Sequence, residues 1–231
     1  MFVLDDLPST LPIFPLSGAI LLPKGHLPLN VFEGRYLEMV HYARAGNGLI
    51  GMIQPQIPHG AEEEGDDMLG TARRNRPLYK TGCVGMISDF DEKDDGRVEL
   101  VLTGLCRFDM IRELPKKRLF REAEVSYARF GRDCAEVARS DKIDRKRLVL
   151  TIEAFLKRQG ISAHWETFET ACDEELINSF AMICPFEPAE KQALLETVDL
   201  RARLEMMIQI MAFSLSGSQA AYGEFEDLKI Q

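Results

Sequence analysis

The stretch Leu11–Val40, LPIFPLSGAILLPKGHLPLNVFEGRYLEMV, decides how the rest of the chain is read. Proline lacks an amide donor and pushes the preceding residue out of the α region, so Pro12, Pro15, Pro23 and Pro28 predict edge strands and turns, with no helix before Val31. From Phe32 the period changes. Phe32, Tyr36, Met39, Val40 and Ala43 recur at helical spacing, leaving Glu33, Arg35 and Glu38 on or beside the opposite face. A short β-element therefore feeds one amphipathic helix from Phe32 to Ala45.

Outward from this stretch, Ala45-Gly46-Asn47-Gly48 signals a turn and Leu49 to Ile53 a buried strand. The segment His59 to Asp67, HGAEEEGDD, lacks an apolar period and the ligand pattern of a calcium loop, and reads as a solvated loop. Thr81 to Phe90 and Arg97 to Thr103 read as a hairpin closed at Asp95-Gly96. Gly104 predicts a corner or bulge before a further strand from Leu105 to Leu114, and Phe120 to Tyr127 another. Past Arg129 the pattern turns helical. Ser140 or Asp141 caps a helix through Ile143, Leu148, Ile152, Phe155 and Leu156 that ends at Gly160. Another runs from Asp173 through Leu176, Ile177, Phe180 and Ile183 to Pro185. Pro188 opens a third, and Asp199 caps a fourth bearing Leu200, Leu204, Met207, Ile208 and Met211. From Ser214 the period is lost, and the tail reads as mobile.

Three blocks carry a resemblance. Phe14-Pro15-Leu16, Leu22-Pro23-x-Gly25, Leu27-Pro28-Leu29 and Phe32-Glu33-x-Arg35-Tyr36 resemble the opening of the Lon protease N-terminal (substrate-binding) domain family. Gly82 to Phe108, GCVGMISDFDEKDDGRVELVLTGLCRF, is similar to its central strands, and CPFEPAEKQALLET to its helical part. Gly34 departs from the family's frequent proline and loosens the helix start. The resemblance implies an α+β fold: an N-terminal β-rich PUA-like pseudo-barrel with one short helix, residues 1–127, followed by a C-terminal helical bundle, residues 128–231. It implies binding of unfolded or specific polypeptides without catalysis, in protein quality control, alongside a partner protease or chaperone.

Composition narrows the classes. A formal net charge of −9 over 231 residues argues against a general nucleic-acid or membrane-surface binder. No apolar run is long enough to cross a bilayer and the acidic start does not resemble a signal peptide, so a cytoplasmic protein is expected. Cys83, Cys106, Cys134, Cys172 and Cys184 are odd in number and never spaced C-x-x-C, which predicts reduced, mostly buried thiols. His26, His41, His59 and His164 form no ligand pair, and no metal or other cofactor is expected. No phosphate loop, G-x-S-x-G elbow or S-x-x-K pair occurs, so neither the ATPase nor the peptidase chemistry of a full Lon protease is expected.

Glu33 and Arg35 read as charged ties to neighbouring backbone. Candidate polypeptide contacts are Arg74, Leu78 and Tyr79, in a basic run leading into an aromatic, together with Tyr36. The alternative for Tyr36 is simple core packing. The seam between the halves is a further candidate surface. An RNA-binding PUA-like module and an enzyme with an unrecognised site are the competing readings.

Overall fold

A computed structural model describes residues 4–56, 76–134, 143–161 and 172–216. The chain divides into two compact units, Met1–Ala138 with Pro185–Glu196, and Arg139–Cys184 with Thr197–Gln231.

The first unit is built on strands β1 (Thr10–Pro15), β2 (His26–Val31), β3 (Leu49–Pro55), β4 (Leu78–Glu92), β5 (Val98–Glu113) and β6 (Arg121–Ser126), with helix α1 (Gly34–Ala45) between β2 and β3. Their order is β2-β5-β4-β3-β1-β6, and β6 also pairs with β5. The ladder through β1, β3, β4, β5 and β6 therefore closes on itself, which removes the unpaired edges of an open sheet. Only β2 stands outside the ring, antiparallel to the first half of β5. Closure depends on β5 being long: Val98 to Thr103 pair with β2, and Asp109 to Glu113 with β6.

Alternation explains the interior. Leu11, Ile13, Leu49, Ile53, Val84, Cys106, Phe108, Ala123 and Val125 form one buried cluster. Phe108 occupies the space left by two glycines. A Cβ at Gly82 would fall 2.5 Å from its ring and one at Gly51 3.2 Å away. The register between β4 and β5 jumps from Val84↔Cys106 to Gly85↔Gly104, leaving Leu105 as a bulge beside the glycine expected to permit one. The two strands expected on either side of Gly104 are thus one. A Cβ on Gly104 would lie 2.1 Å from the Leu22 carbonyl oxygen, so the bare backbone there is what lets the buried run Ile20, Leu21 and Leu22 press against β5.

Two expectations for the opening stretch are corrected. Strand β1 is not an edge, being held between β3 and β6. It tolerates Pro12 because the β1–β3 ladder starts only at Ile13. Phe32 is not part of the helical stripe. It precedes α1 and is 67% exposed, whereas Met39, Val40 and Ala43 are buried.

After β6 the chain makes a 3₁₀ segment, Ala128–Cys134, whose Asp133 meets Arg107 in a buried ion pair. The guanidinium engages both carboxylate oxygens, Nε to Oδ2 at 2.8 Å and Nη2 to Oδ1 at 2.9 Å. It also donates from Nη1 to the Leu195 carbonyl at 3.0 Å. Leu195 lies in a helix, Pro188–Glu196, that the sequence reading grouped with residues 128–231 and that instead packs on the strands. Gln192 donates to the Thr81 carbonyl at 3.1 Å, Gln54 to that of Pro188 at 2.9 Å, and Lys191 Nζ to that of Gly18 at 2.9 Å.

The described residues of the second unit are built on helices. Numbered with the helix just described, they are α2 (Arg145–Arg158), α3 (Asp173–Ile183), α4 (Pro188–Glu196, in the first unit) and α5 (Leu200–Ser216). Helix α5 packs on α2 and α3. Buried contacts come from Leu148, Ile152, Phe155, Leu176, Ile177, Phe180 and Met207, while Ile183, expected inside, is 61% exposed. The α2 cap is Asp144, which accepts from the Arg147 amide; the expected caps Ser140 and Asp141 lie outside the described residues. Gly160 ends α2 with φ of 71°, as its position predicts, and Asp199 caps α5 through the Ala202 amide. Of the five free thiols, expected to be mostly buried, Cys83, Cys106 and Cys184 are buried, Cys134 is half-buried and Cys172 is exposed at the start of α3. Helix α5 continues past Ser214 to Ser216; the rest of the tail, like the acidic run His59 to Asp67, lies outside the described residues.

Removing one member of a buried ion pair leaves the other charged and unpaired, which typically costs about 3–5 kcal/mol. Asp133→Ala is expected to lose stability in that range in urea unfolding. Glu205→Ala, which breaks the exposed Arg201–Glu205 pair, is expected to change it by less than about 1 kcal/mol.

Candidate functional site

The chain leaves β1 at Pro15, leaves β2 at Val31 and starts α1 at Gly34, and the three ends enclose a groove of about 360 Å³. Its apolar lining includes Phe14, Leu16, Leu29, Val31 and Tyr36, with Pro55 of β3 on one side. Its polar groups are Ser17, Asn30, Glu33, Arg35 and Arg76. The Phe14 and Tyr36 rings stack with centroids 4.3 Å apart and planes tilted by 34°. Phe32 belongs to the same lining and projects to solvent.

Charge at the mouth is unevenly compensated. Arg35 pairs with Glu33, Nε to Oε2 at 2.8 Å, so these two residues bind each other rather than neighbouring backbone as expected. The α1 N-cap consequently has no side-chain acceptor. Arg121 pairs with Glu113 and donates from Nη1 to the Arg76 carbonyl at 3.0 Å, which fixes the backbone of Arg76 at the groove. No ion pair to the Arg76 side chain occurs among the described residues, and Ser17 Oγ is buried without a hydrogen-bond partner among them. A second hollow of about 420 Å³ shares Glu33 and Arg35 with the groove and is lined by Gly34, Lys116 and Leu119, the last 63% exposed.

The residues singled out from sequence fare differently. Tyr36 lines the groove, half-buried. Leu78 is 6% exposed and packs in the β-core, which leaves no side chain to offer a ligand. Tyr79 is half-buried at the start of β4, outside the groove's lining, and Arg74 lies outside the described residues. The groove brings in Phe14, Ser17, Leu29, Phe32 and Arg76, of which only Arg76 stood in a run marked as a candidate. Among the described residues, no group of three or more His, Cys, Asp or Glu side chains could hold a metal ion, and no helix is long and apolar enough to cross a membrane.

The profile of the ATP-dependent protease La (LON) substrate-binding domain matches residues 10–212. The chain belongs to the LON substrate-binding domain family. Lon protease 2 of Myxococcus xanthus is 28% identical over 219 residues, covering 90% of this chain and 24% of that protein. The Lon protease of Desulfosudis oleivorans is 25% identical over 210 residues, with 87% and 23% covered. The LON-domain chain thus spans about a quarter of the length of the curated relatives it matches. Among solved structures, the Lon N-terminal domain protein from Xanthomonas campestris superposes with a TM-score of 0.57 at 24% identity, covering 87% of this chain and 98% of that one. The N-terminal domain of the Mycobacterium avium complex Lon protease superposes with 0.59 at 17% identity, covering 88% and 98%. Both likenesses concern the fold.

Burial raises the Tyr36 phenol above its ordinary value of 10, against the opposing effect of the Arg35 guanidinium. In the folded LON domain the phenol stays protonated at a pH where the unfolded chain ionises. Its contribution to stability is intact below pH 10 and is lost as pH rises above that value. Between roughly pH 9 and 11, stability measured by urea unfolding is expected to fall less steeply in Tyr36→Phe than in the parent.

Proposed function

We propose that this LON substrate-binding domain holds unfolded or specific polypeptide segments in the groove between β1, β2 and α1. On this reading it is a non-catalytic adaptor or regulator in protein quality control, on a PUA-like pseudo-barrel, in the cytoplasm, serving a protease or chaperone. The observation that carries the proposal is the groove's make-up: stacked Phe14 and Tyr36 rings, aliphatic walls, and the exposed Phe32 at the mouth. Concave apolar sites with a few fixed polar groups are where ligands bind, and rigid aromatics supply contact area at small entropic cost. The full Lon proteases among the relatives are named as proteases, and that activity is not carried over to this chain.

Strand β2 contributes in a specific way. It is the outer strand, with Pro28 at its middle paired to Val101, so its free side lacks a continuous row of donors. Strand addition there is disfavoured, and side-chain capture in the groove beside it is favoured over main-chain pairing. Tyr79, with Arg74 on the preceding segment, forms a weaker second contact region.

Phe32→Ala is expected to weaken binding of an unfolded client about five- to tenfold by fluorescence anisotropy, with Tm within about 1 °C of the parent, because the ring is solvent-exposed in the free protein. Tyr79→Ala and Arg74→Ala together are expected to weaken it by no more than about threefold. Unchanged binding in Phe32→Ala removes the groove as the site. Purified protein is expected neither to hydrolyse ATP nor to cleave casein; an activity abolished by mutating one of its own residues would overturn the non-catalytic reading.

A further inference from the structure

The groove's rim is basic on a chain whose net charge is −9. Arg76 lines the groove itself, Lys116 the adjoining hollow, and Lys117 and Arg118 the next turn of the same loop. Arg118 lies over the Tyr42 ring at 4.2 Å and reaches Glu122 only at 3.9 Å. Among the described residues the acids nearby are taken: Glu33 by Arg35 and Glu113 by Arg121. Among the described residues, Arg76, Lys116 and Lys117 have no ion-pair partner, so uncompensated positive charge surrounds an apolar floor. Exposed Phe32 and Leu119 sit on the same face, 67% and 63% accessible. Ser17 Oγ, buried within the lining and without a partner among the described residues, adds a donor and acceptor that a bound chain can satisfy.

From this juxtaposition we infer that the groove selects apolar or aromatic polypeptide segments flanked by acidic residues. The inference rests on the polypeptide-binding reading above and sharpens it to a substrate class. The apolar side chain fills the space against Phe14, Leu29 and Tyr36. Carboxylates on either side meet Arg76 and the Lys116–Arg118 turn. Uncompensated rim charges steer encounter and discriminate between partners more than they add affinity, so the selection is one of sign. A segment flanked by lysines meets like charge at the same positions and is disfavoured.

The charge pattern also separates this partner from a nucleic acid. A polyanion needs a continuous basic track with stacking rings along it, whereas this rim is a short arc interrupted by the Glu33–Arg35 and Glu113–Arg121 pairs. The apolar floor, meanwhile, has no use for a phosphate backbone. The Tyr36 ring in the groove is already engaged, by Phe14 with centroids 4.3 Å apart and by the Arg35 guanidinium 4.5 Å from its centroid.

The test uses the full chain and three fluorescein-labelled unstructured peptides sharing one Phe-Leu-rich centre, flanked by four Asp/Glu, four Ser or four Lys. Expected is an affinity order acidic, neutral, basic, with acidic over neutral about tenfold at low salt and falling towards unity near half-molar salt. In Arg76→Gln/Lys116→Gln the acidic-to-neutral ratio is expected to drop to about two. Lys116→Gln/Lys117→Gln, both on the exposed loop, repeats the measurement in case the first variant folds poorly. Equal binding of acidic and neutral peptides by the parent overturns the inference while leaving polypeptide binding standing. Binding of no peptide overturns both. Displacement of the acidic peptide by a single-stranded oligonucleotide at stoichiometric concentration also overturns the inference, in favour of a general anion site.

Discussion

A guanidinium taken out of water must have its donors met, and Arg107 meets that requirement with two segments far apart in sequence. The carboxylate of Asp133 comes from the 3₁₀ turn after the last strand, the Leu195 carbonyl from helix α4, and the Phe130 ring lies 4.4 Å from its Cζ. The residue next to it, Phe108, points the other way into the barrel, over the bare backbones of Gly51 and Gly82. One dipeptide on β5 thus fills the inside of the ring and fastens what covers its outside. Because a buried pair is costly to half-break, this junction tolerates less change than an apolar contact of similar area.

The elements were legible where a local rule governs them. The hairpin followed from Asp95-Gly96, the bulge from Gly104, and the caps from Asp199 and Gly160. Each of these is set by backbone chemistry within a few residues. What could not be read is what depends on partners. Pro12 argued for an edge, yet β1 is inside the ring because the β3 ladder starts one residue later. Helix α4 looked like one more member of a helical region, and only the buried amides of Gln54 and Gln192 reveal that its polar face is turned towards strands. Polar residues buried by matched partners read as surface residues until those partners are seen.

The groove illustrates the same boundary. The ring and position of Tyr36 suggest either core or contact; it is half-buried, stacked on Phe14, and lines the groove. Phe32 was assigned to the buried stripe on spacing alone. The helix starts two residues later than the periodicity suggests, which frees that ring for solvent. Leu78 was marked for its neighbourhood and turns inward, since alternation along β4 places it on the core face. A strand's two faces are decided by register, and register by the pairing that the linear pattern does not contain.

Helix α4 also governs when the first unit can be completed during synthesis. The strands are all present once residue 126 has emerged, but the Lys191 bond to the Gly18 carbonyl spans 173 residues, and that from Gln192 to Thr81 spans 111. Until Glu196 clears the ribosome, the nascent barrel holds Arg107 short of one acceptor and leaves the Thr81 and Gly18 carbonyls without these donors. Closing contacts of such long range is slow, and a chain interrupted before α4 keeps an unfinished polar seam on the wall of the barrel. Released fragments ending at residue 184 and at residue 196 should therefore differ sharply in protease resistance, though they differ by a single short helix.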